Sequence, residues 1–315
     1  MALCGLLAAF GACSHDDDNS NAGKTIAEIA TSTVDLSILV DALVRADLVE
    51  TLDGTTNYTV FAPNNAAFTA FLQANGFANL NAVPVSALRE ILLNHVIAGE
   101  VTSNQLTTGY VKTLGKGSAS AANSLSMFVN ISSGVVLNGG MSNGGATVTA
   151  ADIQASNGVI HLVGSVIGLP TVVNHSIANP NFSILVQALT RNDQPNFAGI
   201  LSGSTNAPFT VFAPTNAAFG GFLTELNFAG LSDIPQATLE KTLKYHVVTG
   251  ANVLSTSLTN GMSVATFAGD SFTVNLTSGA KITDANGRIS TIIATDVQAS
   301  NGVIHAIDKV LLPNL

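Results

Sequence analysis

The chain is poor in charge and contains no tryptophan among its 315 residues. Only 10% of the residues are charged, and 11 Lys and Arg stand against 20 Asp and Glu, which gives a formal net charge of -9. So few cations leave no broad basic face to neutralise phosphates, which argues against nucleic acid as a partner. The polar remainder is mostly Asn, Ser, Thr and Gly, a composition that indicates a neutral surface rich in strands and turns.

Cysteine occurs twice, at Cys4 and Cys13, so the rest of the chain has no disulfide, thiolate metal site or catalytic thiol. The sequence also lacks Gly-x-Ser-x-Gly, His-Glu-x-x-His and a complete phosphate-loop pattern, which mark common catalytic sites. We therefore expect no enzymatic activity, no cofactor and no metal site.

An apolar run over residues 3–12 leads to Cys13, with small residues directly before the cysteine and Ser14-His-Asp-Asp-Asp18 after it. The pattern resembles a truncated bacterial lipoprotein signal, in which the cysteine carries the lipid; an ordinary secretory signal with a chance cysteine is the alternative. No Lys or Arg precedes Lys24, so the usual basic start is missing. We expect residues 1–24 to be signal and flexible tether, with lipidation at Cys13.

A ten-residue segment occurs twice, as Thr59-Val-Phe-Ala-Pro-Asn-Asn-Ala-Ala-Phe68 and as Thr210-Val-Phe-Ala-Pro-Thr-Asn-Ala-Ala-Phe219, with nine identical positions. Thr-Val-Phe-Ala predicts a short buried strand, the proline ends it, and the following Asn or Thr caps a helix that begins with Ala-Ala-Phe. The duplication predicts two domains, over residues 25–170 and 171–315, each large enough for its own core.

Each repeat begins with helical patterns and ends with strand patterns. In the first repeat Thr25-Ile-Ala-Glu28 has the form of a capping box, which predicts a helix start, and apolar residues then recur at helical spacing over residues 36–48. Runs rich in Val, Thr and Ile follow in both repeats and predict several strands. The second repeat has five extra residues around 191–207 and the first has seven around 116–145, and we expect both insertions to be loops.

The clearest strand signal is Asp152-Ile-Gln-Ala-Ser-Asn-Gly-Val-Ile-His161, which recurs almost unchanged over residues 296–305. Its Asn-Gly pairs predict the positive φ angles of a tight hairpin turn. The aspartate that opens each copy, Asp152 or Asp296, is expected to hold backbone amides rather than to act as an acid. The expected structural residues of the two copies are Asn157, Gly158, His161, Asn301, Gly302 and His305.

Three segments resemble the hallmark segments of the fasciclin (FAS1) domain, and they occur in the same order in both repeats. They are the ten-residue segment, the Leu-Lys-Tyr-His-Val-Val stretch at 243–248 and the Asn-Gly-Val-Ile-His-Ala-Ile-Asp-Lys-Val-Leu-Leu-Pro stretch at 301–313. The resemblance implies an α+β fold with two tandem fasciclin-like domains, each a β-sandwich or wedge packed with several α-helices. The first repeat departs from the pattern, with Asn94 where the motif has Tyr and Gly164 where the second repeat has Asp308.

The fasciclin family is associated with cell adhesion and extracellular-matrix contacts, and its Tyr-His segment is a proposed integrin-binding stretch in animal members. The resemblance therefore implies Tyr245 and His246 as candidate binding residues, with His95 as the counterpart in the first repeat. His246 lies on the apolar face of its predicted helix, three residues after Leu243, which favours the alternative of a core histidine bonded internally.

Together these features predict a non-enzymatic cell-surface or secreted protein that contacts an extracellular protein, matrix or glycan and meets the membrane only through its lipid. The expected location is the bacterial outer membrane or cell surface, with a periplasmic or secreted protein as the alternative. Two further functions stay open: a carbohydrate-binding surface lipoprotein and a structural subunit of an envelope assembly. Carbohydrate-binding sites usually stack the sugar on exposed Trp or Tyr rings. The chain has no Trp and only three tyrosines, Tyr58, Tyr110 and Tyr245, which weakens the carbohydrate-binding alternative.

Overall fold

The computed structural model describes residue 21 and residues 23–314, so the predicted lipid site at Cys13 lies outside the described residues. Helices and strands form two successive groups with the same order of elements. The first group is α1 (Ile26–Ser32), α2 (Ser37–Arg45), α3 (Val49–Asp53), β1 (Tyr58–Pro63), α4 (Asn65–Ala74), α5 (Val85–Leu93), β2 (Val96–Ala98), β3 (Gly109–Gly117), β4 (Ser120–Asn130), β5 (Val136–Leu137), β6 (Ala146–Ala155) and β7 (Gly158–Val163).

The second group repeats this order of three helices, a strand, two helices and six strands. It is α6 (Val172–Ala178), α7 (Ser183–Leu189), α8 (Phe197–Ser202), β8 (Phe209–Pro214), α9 (Asn216–Glu225), α10 (Gln236–Tyr245), β9 (Val247–Thr249), β10 (Ser263–Ala265), β11 (Ser271–Asn275), β12 (Lys281–Thr283), β13 (Ile289–Ala299) and β14 (Gly302–Ile307). The predicted α+β class and its tandem arrangement are confirmed.

The strands close into a barrel in the first domain, β1 to β7, and form a seven-stranded sheet in the second, in the order β10-β11-β12-β13-β14-β8-β9. In both domains the strand of the ten-residue segment runs parallel to the last strand of the domain. The register places Phe61 opposite His161 and Phe212 opposite His305. Two motifs that lie far apart in each repeat are therefore neighbours in the sheet.

Each domain buries two apolar clusters, one between helices and sheet and one among the strands. Phe68 and Phe219 belong to the helix-side clusters, whereas Phe61 and Phe212 belong to the strand-side clusters. All four rings are at most 1% exposed, and full burial of one such side chain contributes about 1.5–3 kcal/mol to stability. The ten-residue segment thus anchors both clusters of its domain.

Helix starts follow the predicted capping. The Glu28 amide donates to Thr25 Oγ1 over 3.2 Å and the Thr25 amide donates to Glu28 Oε2 over 2.8 Å, which completes the capping box of α1. Asn64 and Thr215 accept from the third residue after them and so cap α4 and α9. Between residues 23 and 314 no helix combines the length and apolar character that crossing a membrane requires.

The hairpin between the last two strands differs from the prediction. Ala155 pairs with Gly158, so the two-residue turn is Ser156-Asn157, and neither Asn157 nor Asn301 adopts a positive φ. The glycines serve another purpose. A Cβ on Gly158 would lie 1.9 Å from the Tyr58 carbonyl oxygen, and one on Gly302 would lie 2.2 Å from that of Phe209, so only glycine lets the parallel strands approach.

Both insertions were expected to be loops, which is correct around 191–207 and wrong around 116–145. The helix α8 within 191–207 is the counterpart of α3 and packs Phe197 and Leu201 into the second domain's core, while the extra residues lie in the turns before and after it. The segment around 116–145 completes the paired strands β3 and β4 and includes β5. Because a paired hairpin holds its own backbone hydrogen bonds, it can project from one domain and contact the other.

Candidate functional site

The histidines of the Tyr-His position are buried and bonded to backbone on both sides. His246 is 3% exposed; its Nδ1 donates to the Thr242 carbonyl over 2.7 Å and its Nε2 accepts from the Leu311 amide over 2.9 Å. His95 is 2% exposed and makes the same pair of bonds, with Ile91 and Ile167. Burial lowers the pKa of each to about 4, partly opposed by the backbone bond. Both are neutral imidazoles that tie a helix end to the chain after the last strand.

The second pair of histidines is also buried, at the positions opposite the phenylalanines of the ten-residue segment. His161 and His305 are fully buried and stack on Phe61 and Phe212 at 5.5 and 5.3 Å between ring centroids. In each ring Nε2 contacts a loop carbonyl, at 3.0 Å for His161 and 2.8 Å for His305. Nδ1 faces the amide of Asp152 at 3.2 Å in His161 and that of Asp296 at 3.5 Å in His305, so neither imidazole directs a ring nitrogen at solvent.

The two motif aspartates hold backbone amides, as predicted. Asp152 and Asp296 occupy positive φ angles of 63° and 60° at irregularities in β6 and β13. The Asp152 carboxylate accepts from the Ser103 amide over 2.7 Å, and the Asp296 carboxylate accepts from the Ser255 amide over 2.8 Å. The serine hydroxyls bond the same carboxylates, and at Asp152 this bonding holds the pKa below its usual range.

Tyr245 is fully buried beside the strands of the second domain. Its hydroxyl donates to the Ser271 carbonyl over 2.8 Å and accepts from the Ala285 amide over 3.1 Å, and burial raises its pKa to about 12. The first repeat replaces this ring with Asn94, whose side chain donates to the Gly168 carbonyl over 2.9 Å. The binding role of Tyr245, His246 and His95 stays a prediction, because each is enclosed by its own domain.

The hairpin asparagines join the sheet to the first and third helices of their domains. Asn157 accepts from the Ile26 amide over 2.8 Å and donates to the Gly54 carbonyl over 2.7 Å. Asn301 accepts from the Val172 amide over 3.0 Å and donates to the Leu201 carbonyl over 2.8 Å. Among residues 23–314, no three His, Cys, Asp or Glu side chains are grouped so as to hold a metal ion.

The β3–β4 hairpin of the first domain reaches the second domain. At its tip the Ala119 amide donates to the Ser300 carbonyl over 2.9 Å, and a Cβ on Gly117 would lie 2.3 Å from Ser300 Cα. Farther along, Lys112 Nζ donates to the Asp296 carbonyl over 2.8 Å. These contacts make the hairpin an interdomain clasp, defined here as residues 109–130, that packs against the β13–β14 turn.

Beside the clasp lies a cleft of about 250 Å³ that both domains line, called the interdomain cleft below. The first domain contributes residues 108–110 and Phe128, and the second contributes residues 179–182, Thr215 and parts of β13 and β14. Its lining includes no charged side chain. Concave sites between domains, mostly apolar with a few polar groups, are where ligands usually bind.

A family model of the fasciclin domain matches residues 34–170 and again residues 180–313. The chain belongs to the fasciclin family. It is 36% identical to Protein sll1483 of Synechocystis sp. over 148 residues, which cover 47% of this chain and 75% of that protein. It is 29% identical over 301 residues to the transforming growth factor-beta-induced protein ig-h3 of Sus scrofa, which covers 94% of this chain and 40% of that protein.

A solved FAS1 domain pair from the insect cell adhesion molecule fasciclin I has the same fasciclin fold. The match has a TM-score of 0.54 at 20% identity and covers 88% of this chain and 97% of that one. The resemblance inferred from the motifs is therefore confirmed. The family matches begin after α1 and α6, so the domain limits 25–170 and 171–315, which include these helices, stay predictions.

Two residues near the junction of the fasciclin domains belong to none of the three hallmark segments. His175 in α6 is fully buried, and neither ring nitrogen makes a hydrogen bond of good geometry among the described residues; burial lowers its pKa to about 4, partly opposed by a loose contact with the Gln298 backbone. Tyr110 of the clasp packs edge-on against it at 5.5 Å, and its hydroxyl has only long bonds, 3.5 Å to the His175 carbonyl and 3.4 Å from Asn179. The one signal for His175 is its place in the apolar run Val172-Val-Asn-His-Ser-Ile177, which indicates burial without showing what covers it.

Proposed function

We propose that this tandem fasciclin protein is a non-enzymatic adhesion protein that is anchored by a lipid on Cys13 and contacts an extracellular protein or matrix. The observation that carries the proposal is the pair of complete fasciclin domains, since relatives with this fold include an insect cell adhesion molecule. Two domains on one chain suit weak contacts, because the second binding event becomes intramolecular and raises avidity.

The burial of the histidines supports a non-enzymatic role. The five histidines among the described residues are at most 3% exposed, and a general base has to reach the proton that it removes. The motif aspartates are committed to backbone amides. The proposed work of these side chains is to hold the domains in shape so that their surfaces can bind.

Protein or matrix is favoured over glycan because the tyrosines offer little open ring surface. Tyr245 is fully buried, and Tyr58 and Tyr110 are half-buried. A sugar ring stacks on an exposed aromatic face, which these positions do not provide. A structural subunit of an envelope assembly is the remaining alternative, and it predicts one stoichiometric partner in a pull-down from the producing cell.

The test deletes the gene in the producing organism and measures attachment of the cells to several surfaces. Deletion is expected to lower attachment and the full chain to restore it. Cys13→Ala is expected to move the protein out of the membrane fraction and to leave attachment low, whereas Cys4→Ala, the matched control, should behave as wild type. Unaltered attachment on every surface would count against adhesion, and unchanged partitioning of Cys13→Ala would count against the lipid anchor.

A further inference from the structure

The interdomain cleft is held open by direct contacts between the two domains. On its clasp side the Gln298 amide donates to Ser126 Oγ over 3.0 Å. The Asn143 side chain donates to the Asn174 carbonyl over 2.8 Å, and the Asn174 side chain donates back to the Asn143 carbonyl over 3.0 Å. A cleft fixed in this way is present before any ligand arrives, which lowers the ordering cost of binding.

The lining selects an uncharged, mainly apolar group. Ile293, Ala294 and Val297 of β13 form one wall, and Ile293 is 54% exposed at the rim. No Lys, Arg, Asp or Glu lines the cleft, so a charged group that entered would lose hydration and meet no opposite charge. Charged ligands are therefore disfavoured, and apolar ones gain by burial.

Several polar groups line the cleft, and two of them, on Tyr110 and Asn181, are the best placed to bond a ligand. The Tyr110 hydroxyl has partners only at 3.4 and 3.5 Å, beyond the usual 2.5–3.0 Å range for a hydroxyl donor. Asn181, also in the lining, is exposed, and its carboxamide has an NH₂ donor group and an oxygen acceptor, which match the carbonyl and amide of a peptide group. This pairing fits a peptide backbone on either side of an inserted side chain.

A sugar fits the same lining less well. The rings that line the cleft are Tyr110, Phe128 and Phe182; the first is half-buried, and the others are 3% and 2% exposed. Phe128 also covers Tyr110, at 4.9 Å between ring centroids. No flat ring face is left open for a sugar to stack on.

We infer that the interdomain cleft receives an uncharged apolar side chain from an extended segment of a partner protein, with Tyr110 and Asn181 bonding the adjoining peptide groups. The inference rests on the proposed adhesive function and names the class of partner segment. The cleft exists only where the two domains meet, so a single domain would not bind the segment.

The test follows amide resonances of the unlipidated, isotope-labelled full chain during titration with three probes. The probes are acetyl-Gly-Leu-Gly-amide, acetyl-Gly-Glu-Gly-amide and cellobiose. The leucine peptide is expected to shift the amides of Gly109, Tyr110 and Ala294 in a saturable way. The glutamate peptide should bind at least about tenfold more weakly, since its carboxylate meets no counter-charge.

Two variants of β13 provide a matched comparison. Ile293→Asp puts a charge at the rim and should raise the dissociation constant for the leucine peptide at least about tenfold. Ile289→Asp alters a side chain of the same strand that is 57% exposed and lies outside the lining, so it should bind as wild type. Both positions are exposed, so both variants should keep the wild-type spectrum elsewhere.

Three results would overturn the inference: no cleft shift at about 10 mM leucine peptide, equal loss of binding in both aspartate variants, or cleft shifts with cellobiose alone. Attachment by the producing cells separates this failure from failure of the proposed function. If the cleft binds no peptide but the protein still promotes attachment, the inference about the cleft fails and the adhesive function stands. If the cleft binds the peptide but the protein contributes nothing to attachment, the adhesive function fails and the inference about the cleft stands.

Discussion

Replacing either of two buried histidines in the second domain should affect its stability very differently at neutral pH. His246 and His175 are 3% and 0% exposed, so both are removed from water. The His246 ring makes two well-formed bonds, with Thr242 and Leu311. The His175 ring makes no hydrogen bond of good geometry among the described residues and has only a loose contact with the Gln298 backbone. Leucine is apolar and similar in size to histidine, so the two leucine variants compare a well-bonded with a poorly bonded imidazole.

The expected magnitudes follow from what each substitution leaves behind. His246→Leu deprives the Leu311 amide of its acceptor, in a residue that is 1% exposed, and a buried unsatisfied donor costs about 1–3 kcal/mol. His175→Leu removes two buried nitrogens that make no well-formed hydrogen bond. Its free energy of unfolding should therefore stay within about 1 kcal/mol of wild type or increase.

Acid should destabilise the wild type through the same residues. Burial lowers the pKa of His175 and His246 from 6.5 to about 4. The unfolded chain therefore binds these protons near pH 6.5 and the folded chain only near pH 4, so the free energy of unfolding falls as pH drops through this window. The shift corresponds to roughly 3 kcal/mol for each histidine. Each leucine variant lacks one of these histidines, so over this pH window its free energy of unfolding should fall by roughly 3 kcal/mol less than that of the wild type.

The assay is urea unfolding of the unlipidated chain, followed by far-UV circular dichroism from about pH 7 to about pH 4.5. We expect only His246→Leu to be weakened at neutral pH, and both variants to show a shallower dependence of stability on pH. Equal destabilisation of both variants at neutral pH, or an unchanged pH dependence in both, would contradict this expectation.

Two further substitutions test close backbone approaches. Gly302→Ala should lower the free energy of unfolding by about 1–3 kcal/mol, because its Cβ would meet the Phe209 carbonyl at 2.2 Å; the control Gly220→Ala, in α9 with open space around it, should instead stabilise by up to about 1 kcal/mol in thermal unfolding. Gly117→Val should push the clasp off Ser300 and increase the radius of gyration in small-angle X-ray scattering, whereas Ala121→Val on the exposed part of the same hairpin should not. A Gly302→Ala variant as stable as wild type, or a compact Gly117→Val variant, would contradict these accounts.

The sequence correctly predicted the elements whose stabilising partners lie within a few residues of each other. The capping box at Thr25 and the caps at Asn64 and Thr215 are satisfied within three residues, so the short motif contains both partners. Apolar spacing likewise indicated that His246 faces the core. Because the sequence is duplicated, each helix start or buried position predicted in one repeat also applied to the other.

Features that depend on distant partners were missed or misread. Gly158 looked like a turn residue, yet its requirement comes from Tyr58, a hundred residues earlier in the chain. The insertion around 116–145 looked like a loop, although its strands β3, β4 and β5 pair with one another and only the hairpin tip contacts Ser300 of the other domain. The cleft and the residues that cover His175 belong to the junction between the two domains. The sequence pattern of a single repeat cannot predict a surface that forms only where two domains meet.

We propose that the paired fasciclin domains bind an extracellular protein or matrix component and catalyse no reaction on it. The most direct test screens the unlipidated full chain against arrays of matrix proteins and glycans, with the Ile293→Asp variant beside the wild type. We expect protein hits, modest sensitivity to salt, and weaker signals for the variant. Hits confined to glycans would contradict this proposal. Protein hits in which the captured ligand is covalently altered would also contradict it, because they would indicate catalysis.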